Sequence, residues 1–316
     1  MVPTPTASPG EEDLAAQELN DSVFTSAEFQ EYEREFRKYT EENLRSRHLG
    51  CDFAEVLRDT GEQLDSKLAQ LAEWWRAAKH VVVYTGAGLS TAAGLPDYRG
   101  PNGVWTRKLR GEAVDEQLEF AGCVPTSAHI TLVRLYSAGL LAHVVTTNCD
   151  NLHSRAGLPH AALSELHGNA FVEECAACGA RYERKHSVRT ASGLFEHATG
   201  RACEKCGGEL RDTIVNFGNT FEHVPSMELQ HDRAWLEMLK ADLVVVLGSS
   251  LSVPTACDLP EECLQPRYQQ PQGGRLVIVN LQRTPKDRLA TLRIFAACDE
   301  VVAHVEHELL ASGGEA

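Results

Sequence analysis

Two cysteine pairs carry the most explicit chemistry in the chain. Cys175-x-x-Cys178 and Cys203-x-x-Cys206 are separated by 24 residues. Each pair sets two thiolates on one tight knuckle, and two knuckles complete a tetrahedral four-sulfur set suited to zinc. Gly179 and Gly207 follow the pairs, as knuckle turns require. The polar stretch around them, 168–212, is too small to hold itself by an apolar core, so a metal staple accounts for it. Four thiolates leave no open coordination position, which makes the metal structural. A redox dithiol, or His186 or His197 as a ligand, are the competing readings. The other six cysteines (51, 123, 149, 257, 263 and 298) are unpaired in sequence and read as small buried hydrophobes.

A second constellation is glycine-rich. The β-branched run His80–Thr85 enters Gly86-Ala87-Gly88-Leu89-Ser90-Thr91-Ala92-Ala93-Gly94. A strand, Gly-x-Gly and then a helix is how α/β folds hold a pyrophosphate, with helix N–H groups facing the anion. Thr91 stands where the strict G-x-G-x-x-G pattern has its third glycine, and no acidic residue ends a second strand about twenty positions on. An ordinary dehydrogenase is therefore disfavoured, and a tight turn with no ligand remains open. A third constellation is Thr146-Thr147-Asn148-Cys149-Asp150-Asn151-Leu152-His153, which leaves a strand directly into polar residues. The carboxyl ends of parallel strands are where ligands bind. Shortly after comes Glu165-Leu166-His167-Gly168, whose neutral histidine is a natural general base near pH 7.

The elements that must position these residues read as an α/β fold. Leu64, Leu68, Leu71 and Trp75 share one helix face. A helix starts at Thr126–Ser127, where a hydroxyl can cap it, and ends at Gly139. Strands are expected at 80–85, 142–147, 242–247 and 275–280, and helical segments at 226–240, 254–264 and 304–311. Continuous apolar strands alternating with helices predict a parallel sheet covered on both faces.

The chain has 316 residues, 43% of them hydrophobic, and a formal net charge of −15. Residues 1–60 carry −8 of this, 301–316 carry −3 and the stretch between them −4. Residues 1–62 thus read as an acidic mobile arm, 63–167 with 213–312 as the parallel-sheet domain, 168–212 as an inserted metal module and 313–316 as a tail. The acidity argues against broad affinity for nucleic acid or membrane. The basic run Arg181, Arg184, Lys185, His186 and Arg189, interrupted by Glu183, reads as a solvated face. No run approaches the ~20 apolar residues of a membrane span, and no secretory signal is visible at the start. A reducing compartment is the expectation that follows.

In order and spacing, GAGLSTAAGLPDYRGPNGVW, TTNCDNLH, ELHGNAFVEEC, the cysteine pairs, RDTIVNFG, LGSSLSV and VNLQRTPKD resemble the sirtuin family of NAD-dependent protein deacylases over roughly residues 64–310. PDYRGPNGVW, ELRDTIVNFG and NLQRTPKD resemble its class IV branch, which holds the sixth and seventh animal sirtuins, more the seventh. The resemblance implies a Rossmann-like NAD domain, a small structural zinc module, and an acyl-lysine peptide of a histone or other nuclear protein in the cleft between them. Nuclear localisation is also implied, with cytoplasm as the alternative because no basic localisation cluster is visible.

Residue by residue, the resemblance assigns the first NAD segment to Gly86, Ala87, Gly88, Thr91, Asp97, Tyr98, Arg99 and Trp105. Thr147, Asn148 and Asp150 fall beside the nicotinamide pocket, the last two as catalytic partners. Gly248, Ser249 and Ser250 match the ribose and phosphate loop. Asn280, Leu281, Gln282 and Cys298 fall around the adenosine half, the last through its backbone. His167 matches the catalytic histidine. The peptide would add as a strand between Val215-Asn216-Phe217-Gly218 and the Gly248–Leu251 loop, so Val215, Phe217, Gly218 and Leu251 would bind substrate.

The implied reaction expels nicotinamide from C1′ as the substrate amide oxygen attacks, and His167 deprotonates a ribose hydroxyl. Free lysine, nicotinamide and O-acyl-ADP-ribose are the products. Three positions depart from the family pattern: Thr147 for the usual Gln, Asn151 for Gly and Asn219 for Glu. Mono-ADP-ribosyl transfer and a weakly active NAD-binding scaffold are the alternatives that the Thr147 change keeps open.

Overall fold

In the computed structural model the described residues are 55–112, 120, 122–188, 196–216, 219, 224–253, 255–266 and 273–311. Of the residues assigned above, Phe217 and Gly218 lie outside this set, as do Arg189, the tail and the arm up to residue 54.

A six-stranded parallel sheet forms from β1 (Val81–Thr85), β2 (His143–Thr146), β3 (Leu163–Glu165), β8 (Leu243–Leu247), β9 (Arg275–Val279) and β10 (Leu292–Ile294). Its order is β3-β2-β1-β8-β9-β10, with every pair parallel. The order reverses between β1 and β8, so the crevice for a ligand opens beyond the ends of those two strands. This is the covered parallel sheet expected from the apolar strand pattern and the Rossmann-like architecture that the family resemblance implies. Val81–Thr85 and Leu243–Leu247 are buried throughout, because helices cover both faces.

One face packs α1 (Gly61–Ala77), α3 (Ser127–Ser137) and α6 (Cys298–Leu310), with Leu71, Trp75, Leu132, Leu135, Val301 and Val305 in a single core. The other packs α5 (Ser226–Lys240) through Ala234 and Met238. Thr126 caps α3: its hydroxyl accepts the His129 N–H, and the His129 ring returns a bond to the Thr126 N–H. Short helices α2 (Val104–Leu109) and α4 (Leu152–Ala156) lie in connections on the ligand side. No described helix is long and apolar enough to cross a membrane.

Three expectations change. The glycine turn leads into two short 3-10 turns, Ala87–Leu89 and Thr91–Ala93, rather than a helix. The expected helix at 254–264 contracts to a 3-10 segment at Leu259–Leu264, with Pro260 near its start unable to donate to an earlier turn. Residues 55–60, read as arm, lie against the sheet. Leu57 N–H donates to Leu281 O, Asp59 N–H donates to Phe295 O, and the buried Asp59 carboxylate accepts from Lys67 and from Phe295 N–H.

The polar stretch folds into a separate antiparallel sheet, ordered β5-β4-β7-β6, from β4 (Val172–Cys175), β5 (Arg181–Glu183), β6 (Ala198–Ala202) and β7 (Glu209–Asp212). Among the described residues its apolar cluster holds Cys175, Cys203 and Leu210, with Ala180 and Tyr182 beside them.

Candidate functional site

The four cysteine sulfurs of the small sheet lie within 4.8 Å of one another. Cys175 and Cys206 Sγ are 3.5 Å apart, and Cys178 and Cys203 Sγ 3.7 Å. A tetrahedral zinc with ~2.3 Å Zn–S bonds spaces its sulfurs by about 3.8 Å, so the set fits that ion. Gly179 and Gly207 hold φ of +67° and +74°, and their N–H groups donate to the Cys175 and Cys203 carbonyls, closing each knuckle. The Tyr182 hydroxyl lies 3.1 Å from Cys203 Sγ as an outer partner. His186 and His197, the alternative ligands, stand outside this cluster. His197 Nδ1 instead lies 3.0 Å from the Asp212 carboxylate, both buried. Asp212 also accepts the Ile214 N–H, which fixes the chain entering Val215. Nothing in the sequence singled out that pair.

The glycine-rich turn meets the Gly248 loop backbone to backbone. Gly88 N–H donates to Gly248 O at 2.9 Å and Gly86 N–H to Leu247 O at 3.0 Å. A Cβ on Gly88 would stand 2.8 Å from Gly248 Cα, and one on Gly86 2.7 Å from Ser249 Cα. These glycines therefore let two loops approach each other. The N–H groups of Gly86, Gly88, Leu89 and Ser90 are all spent on carbonyls, which replaces the expected helix N-terminus aimed at an anion. Gly88→Ala should wedge the loops apart and cost ~1–3 kcal/mol of stability. Denaturant midpoints at constant m-value measure this, and an unchanged midpoint would contradict the close approach.

The end of β2 carries the polar cluster. Asn148 Nδ2 donates to Gly86 O (3.0 Å) and Ser90 Oγ (3.1 Å). Ser90 Oγ donates to Asp150 Oδ2 at 2.6 Å, and Asp150 Oδ1 accepts the Leu152 N–H. Ser90 thus ties the glycine turn to the Asn148–Asp150 loop. It is a residue the sequence did not reveal, since a serine in a turn carries no spacing signal. Beneath it, Thr146 Oγ1 accepts the Asn148 N–H and the Thr85 hydroxyl, and Thr85 in turn meets His153 Nε2 at 2.8 Å. Thr147 spends its hydroxyl on Thr85 O at 3.2 Å. Asn151 holds φ 62°, a left-handed turn that Asn tolerates.

His167 sits half-buried beside this loop, with Nδ1 3.0 Å from Thr147 O. A carbonyl only accepts, so Nδ1 carries the proton and Nε2 is left with its lone pair. Burial, with Arg99 nearby, pushes the imidazolium down to about 4 against the opposing pull of the Thr147 carbonyl. His167 is therefore a neutral base at pH 7. Gly168, at φ +75°, passes so close to Thr213 O that no Cβ fits, and Val215 N–H donates to His167 O at 3.0 Å. The base is thereby fixed to the chain leaving the zinc module. Two residues upstream, burial pushes the Glu165 carboxyl up to about 7 although Asn169 and Arg181 hold it down.

On the other wall, Asn280 Nδ2 donates to Ser249 O and Asn280 Oδ1 accepts the Gln282 N–H, joining the Gly248–Ser250 loop to the segment at Leu281. Arg99 is half-buried, and burial lowers its hold on its proton. Its carbonyl accepts from the Thr106 hydroxyl, while its guanidinium has, among the described residues, a long 3.5 Å contact from Nη1 to Ser250 Oγ. A half-buried guanidinium with so weak a partner could pair with a pyrophosphate. Asp97 accepts the Gly100 N–H and Thr91 donates to Gly88 O, so both brace the turn. Tyr98 is exposed, Ala87 opens the first 3-10 turn and Trp105 lies on α2. Cys298 is buried in the core at the start of α6, its thiol pushed up to about 12, which leaves its backbone as the part for a ligand. Leu251 is buried at φ 49° after the Gly248 loop.

The Sir2 family pattern matches residues 112–255. The chain is 44% identical over 257 residues to the NAD-dependent protein deacetylase sirtuin-7 of Bos taurus, covering 81% of this chain and 63% of that protein. It therefore spans less than two thirds of that relative's length. It is 35% identical to the NAD-dependent protein deacetylase Sirt6 of Drosophila melanogaster, over 78% of this chain and 76% of that one. A solved complex of Sir2, p53 peptide and NAD+ superposes with a TM-score of 0.56 at 29% identity, covering 79% of this chain and all of that one. With the reversed strand order, the four-cysteine module and the histidine between them, these matches place the chain in the Sir2 family, the sirtuins.

Proposed function

We propose that the protein is an NAD-dependent protein-lysine deacylase, with acyl-lysine segments of histones or other nuclear proteins as substrates. The observation that carries this reading is His167. It is a neutral imidazole with Nδ1 pinned to Thr147 O and its own carbonyl pinned to Val215 N–H, where the two modules meet. Bound NAD supplies the C1′–nicotinamide bond whose cleavage activates the sugar toward the substrate amide.

The chain's own residues do the rest. Arg99 and the Ser249–Asn280 wall hold the phosphate and ribose side, and the Asn148–Asp150 loop forms the nicotinamide side. His167 Nε2 takes the proton from a ribose hydroxyl. Val215 and Leu251, with Phe217 and Gly218, are assigned to the peptide. Cys175, Cys178, Cys203 and Cys206 hold zinc for structure. Incubation with acetyl-, longer acyl- and unmodified lysine peptides, with and without NAD, tests the proposal. NAD-dependent peptide deacylation is expected, and its absence on every peptide would overturn it.

The neutral state of His167 sets a pH expectation. Its imidazole protonates only toward about 4 in the free enzyme. As pH falls from 8 to 6 the base stays unprotonated, so kcat/KM shows no loss from this group around its ordinary 6.5. The His167-dependent fall comes below about pH 5. An acid limb centred near 6.5 that vanishes in His167→Gln would contradict this.

One observation favours a second reading. The Thr147 hydroxyl is committed to Thr85 O, so this position offers no amide to a ribose. If that misaligns deacylation, mono-ADP-ribosyl transfer to protein becomes the main reaction. Label passing from NAD to protein without deacylation, and lost in His167→Ala, would identify it. NAD binding with neither reaction would identify a scaffold.

A further inference from the structure

Asn151 does more than hold a turn. A glycine would occupy its left-handed conformation freely, but the Asn side chain reaches across to the small sheet. Its Nδ2 donates to Glu183 Oε1 on β5 at 2.9 Å, and its Oδ1 accepts from Asn169 Nδ2 at 2.7 Å. The fully buried Asn169 gives its second amide proton to Glu165 Oε1 at 2.6 Å, and its Oδ1 accepts the Phe171 N–H at the entry to β4. Arg181, also on β5, lies 3.7 Å from Glu165 Oε2, and His160 lies 3.9 Å from Glu183. In the other direction, the neighbouring Asp150 is tied to Ser90 in the glycine turn.

One chain of hydrogen bonds thus links the nicotinamide-side loop, the strand leading to His167 and the zinc module. Asn151, Asn169 and Glu165 are buried, so the bonds among them exchange little with water and are directional, while Glu183 receives Asn151 at the exposed outer end.

We propose that Asn151 is a positioning residue, a strut that fixes the zinc module against the Asn148–Asp150 loop and so sets the cleft for the acyl-lysine peptide. The substrate part of this rests on the deacylase reading above. Asn151 also stands where the family pattern has Gly, so the strut is a feature of this chain. The local turn does not need it: Asn151→Gly keeps the backbone conformation and removes only the reach.

The test uses the full zinc-loaded chain with NAD and an acetyl-lysine peptide. Asn151→Gly should raise the peptide KM by ~3–10-fold, the scale of one or two lost buried hydrogen bonds. Its kcat should change by less than about two-fold, and the variant should stay folded with a Tm lowered by a few degrees, since the turn accepts glycine but the buried bonds are lost. Glu183→Ala should reproduce the KM effect, while Glu183→Gln, which still presents an acceptor oxygen, should stay near the parent. The double variant Asn151→Gly/Glu183→Ala should be no worse than Asn151→Gly alone, since that change already breaks the bond to Glu183. A peptide KM unchanged in Asn151→Gly, or effects that multiply in the double variant, would overturn the strut.

Hydrogen exchange provides a readout that needs no activity. Glu183→Ala should speed amide exchange in 148–152, on the far side of the contact, and unchanged exchange there would equally overturn the proposal. If the parent deacylates nothing, the deacylase reading fails while the exchange result still decides the strut.

Discussion

His167→Ala should reduce NAD-dependent deacylation by ~10²–10⁴-fold, the usual contribution of a positioned general base. NAD binding should survive, because the groups assigned to the cofactor, Arg99, Ser249 and Asn280, are held by contacts that do not involve the imidazole. The fold should survive as well. His167 is tied into the structure through its carbonyl, which accepts from Val215 N–H and from Cys149 Sγ, and alanine keeps that carbonyl. Single-turnover assays beside isothermal titration with NAD separate the two effects. Loss of NAD affinity equal to the loss of rate would show that the residue supports binding and not proton transfer.

Removing zinc should have the largest structural effect. A structural zinc contributes ~10–16 kcal/mol in small modules at neutral pH, which matches or exceeds the ~5–15 kcal/mol stability of a whole domain. The small sheet has little else. Its apolar cluster is two cysteines and Leu210, and its most buried acid, Glu173, is held by Arg184 and Arg201 at 2.6 and 2.5 Å. Cys203→Ser should lose the bound zinc and unfold the module. Activity should fall with it, because Thr213 and Val215, which pack on Gly168 and bond to His167 O, leave β7 directly. Zinc stoichiometry, circular dichroism and deacylation measured on the same sample check this. A zinc-free protein that keeps its small sheet and its rate would contradict the structural role.

The large sheet was legible because four of its strands are continuous valine-rich runs, and burial on both faces writes itself into composition. Its edges were not: Leu163–Glu165 and Leu292–Ile294 are three residues each, too short to show a period. The small sheet hid for the opposite reason. It is held by sulfur and charge, so its strands lack apolar alternation, and only the cysteine spacing announced it. Thr126 was readable as a cap because capping is local.

At the site, residue types and order pointed to His167, Asn148 and Asp150. The partners that hold them did not show. Ser90 meets Asp150 across 60 residues, and Asn151 meets Glu183 across 32. Such pairings depend on the fold and leave no local pattern. The glycine turn shows the same limit. Its glycines also admit a backbone loop more than 150 residues away, a close approach that no local pattern announces.

The proposed function requires that one cleft couple nicotinamide release to lysine deacylation through His167. The most direct measurement quantifies nicotinamide, deacylated peptide and O-acyl-ADP-ribose in a single reaction of the zinc-loaded chain, beside His167→Ala. Equal amounts of all three, lost together in the variant, are predicted. Deacylation that proceeds without NAD, or nicotinamide released with no deacylated peptide, would contradict it.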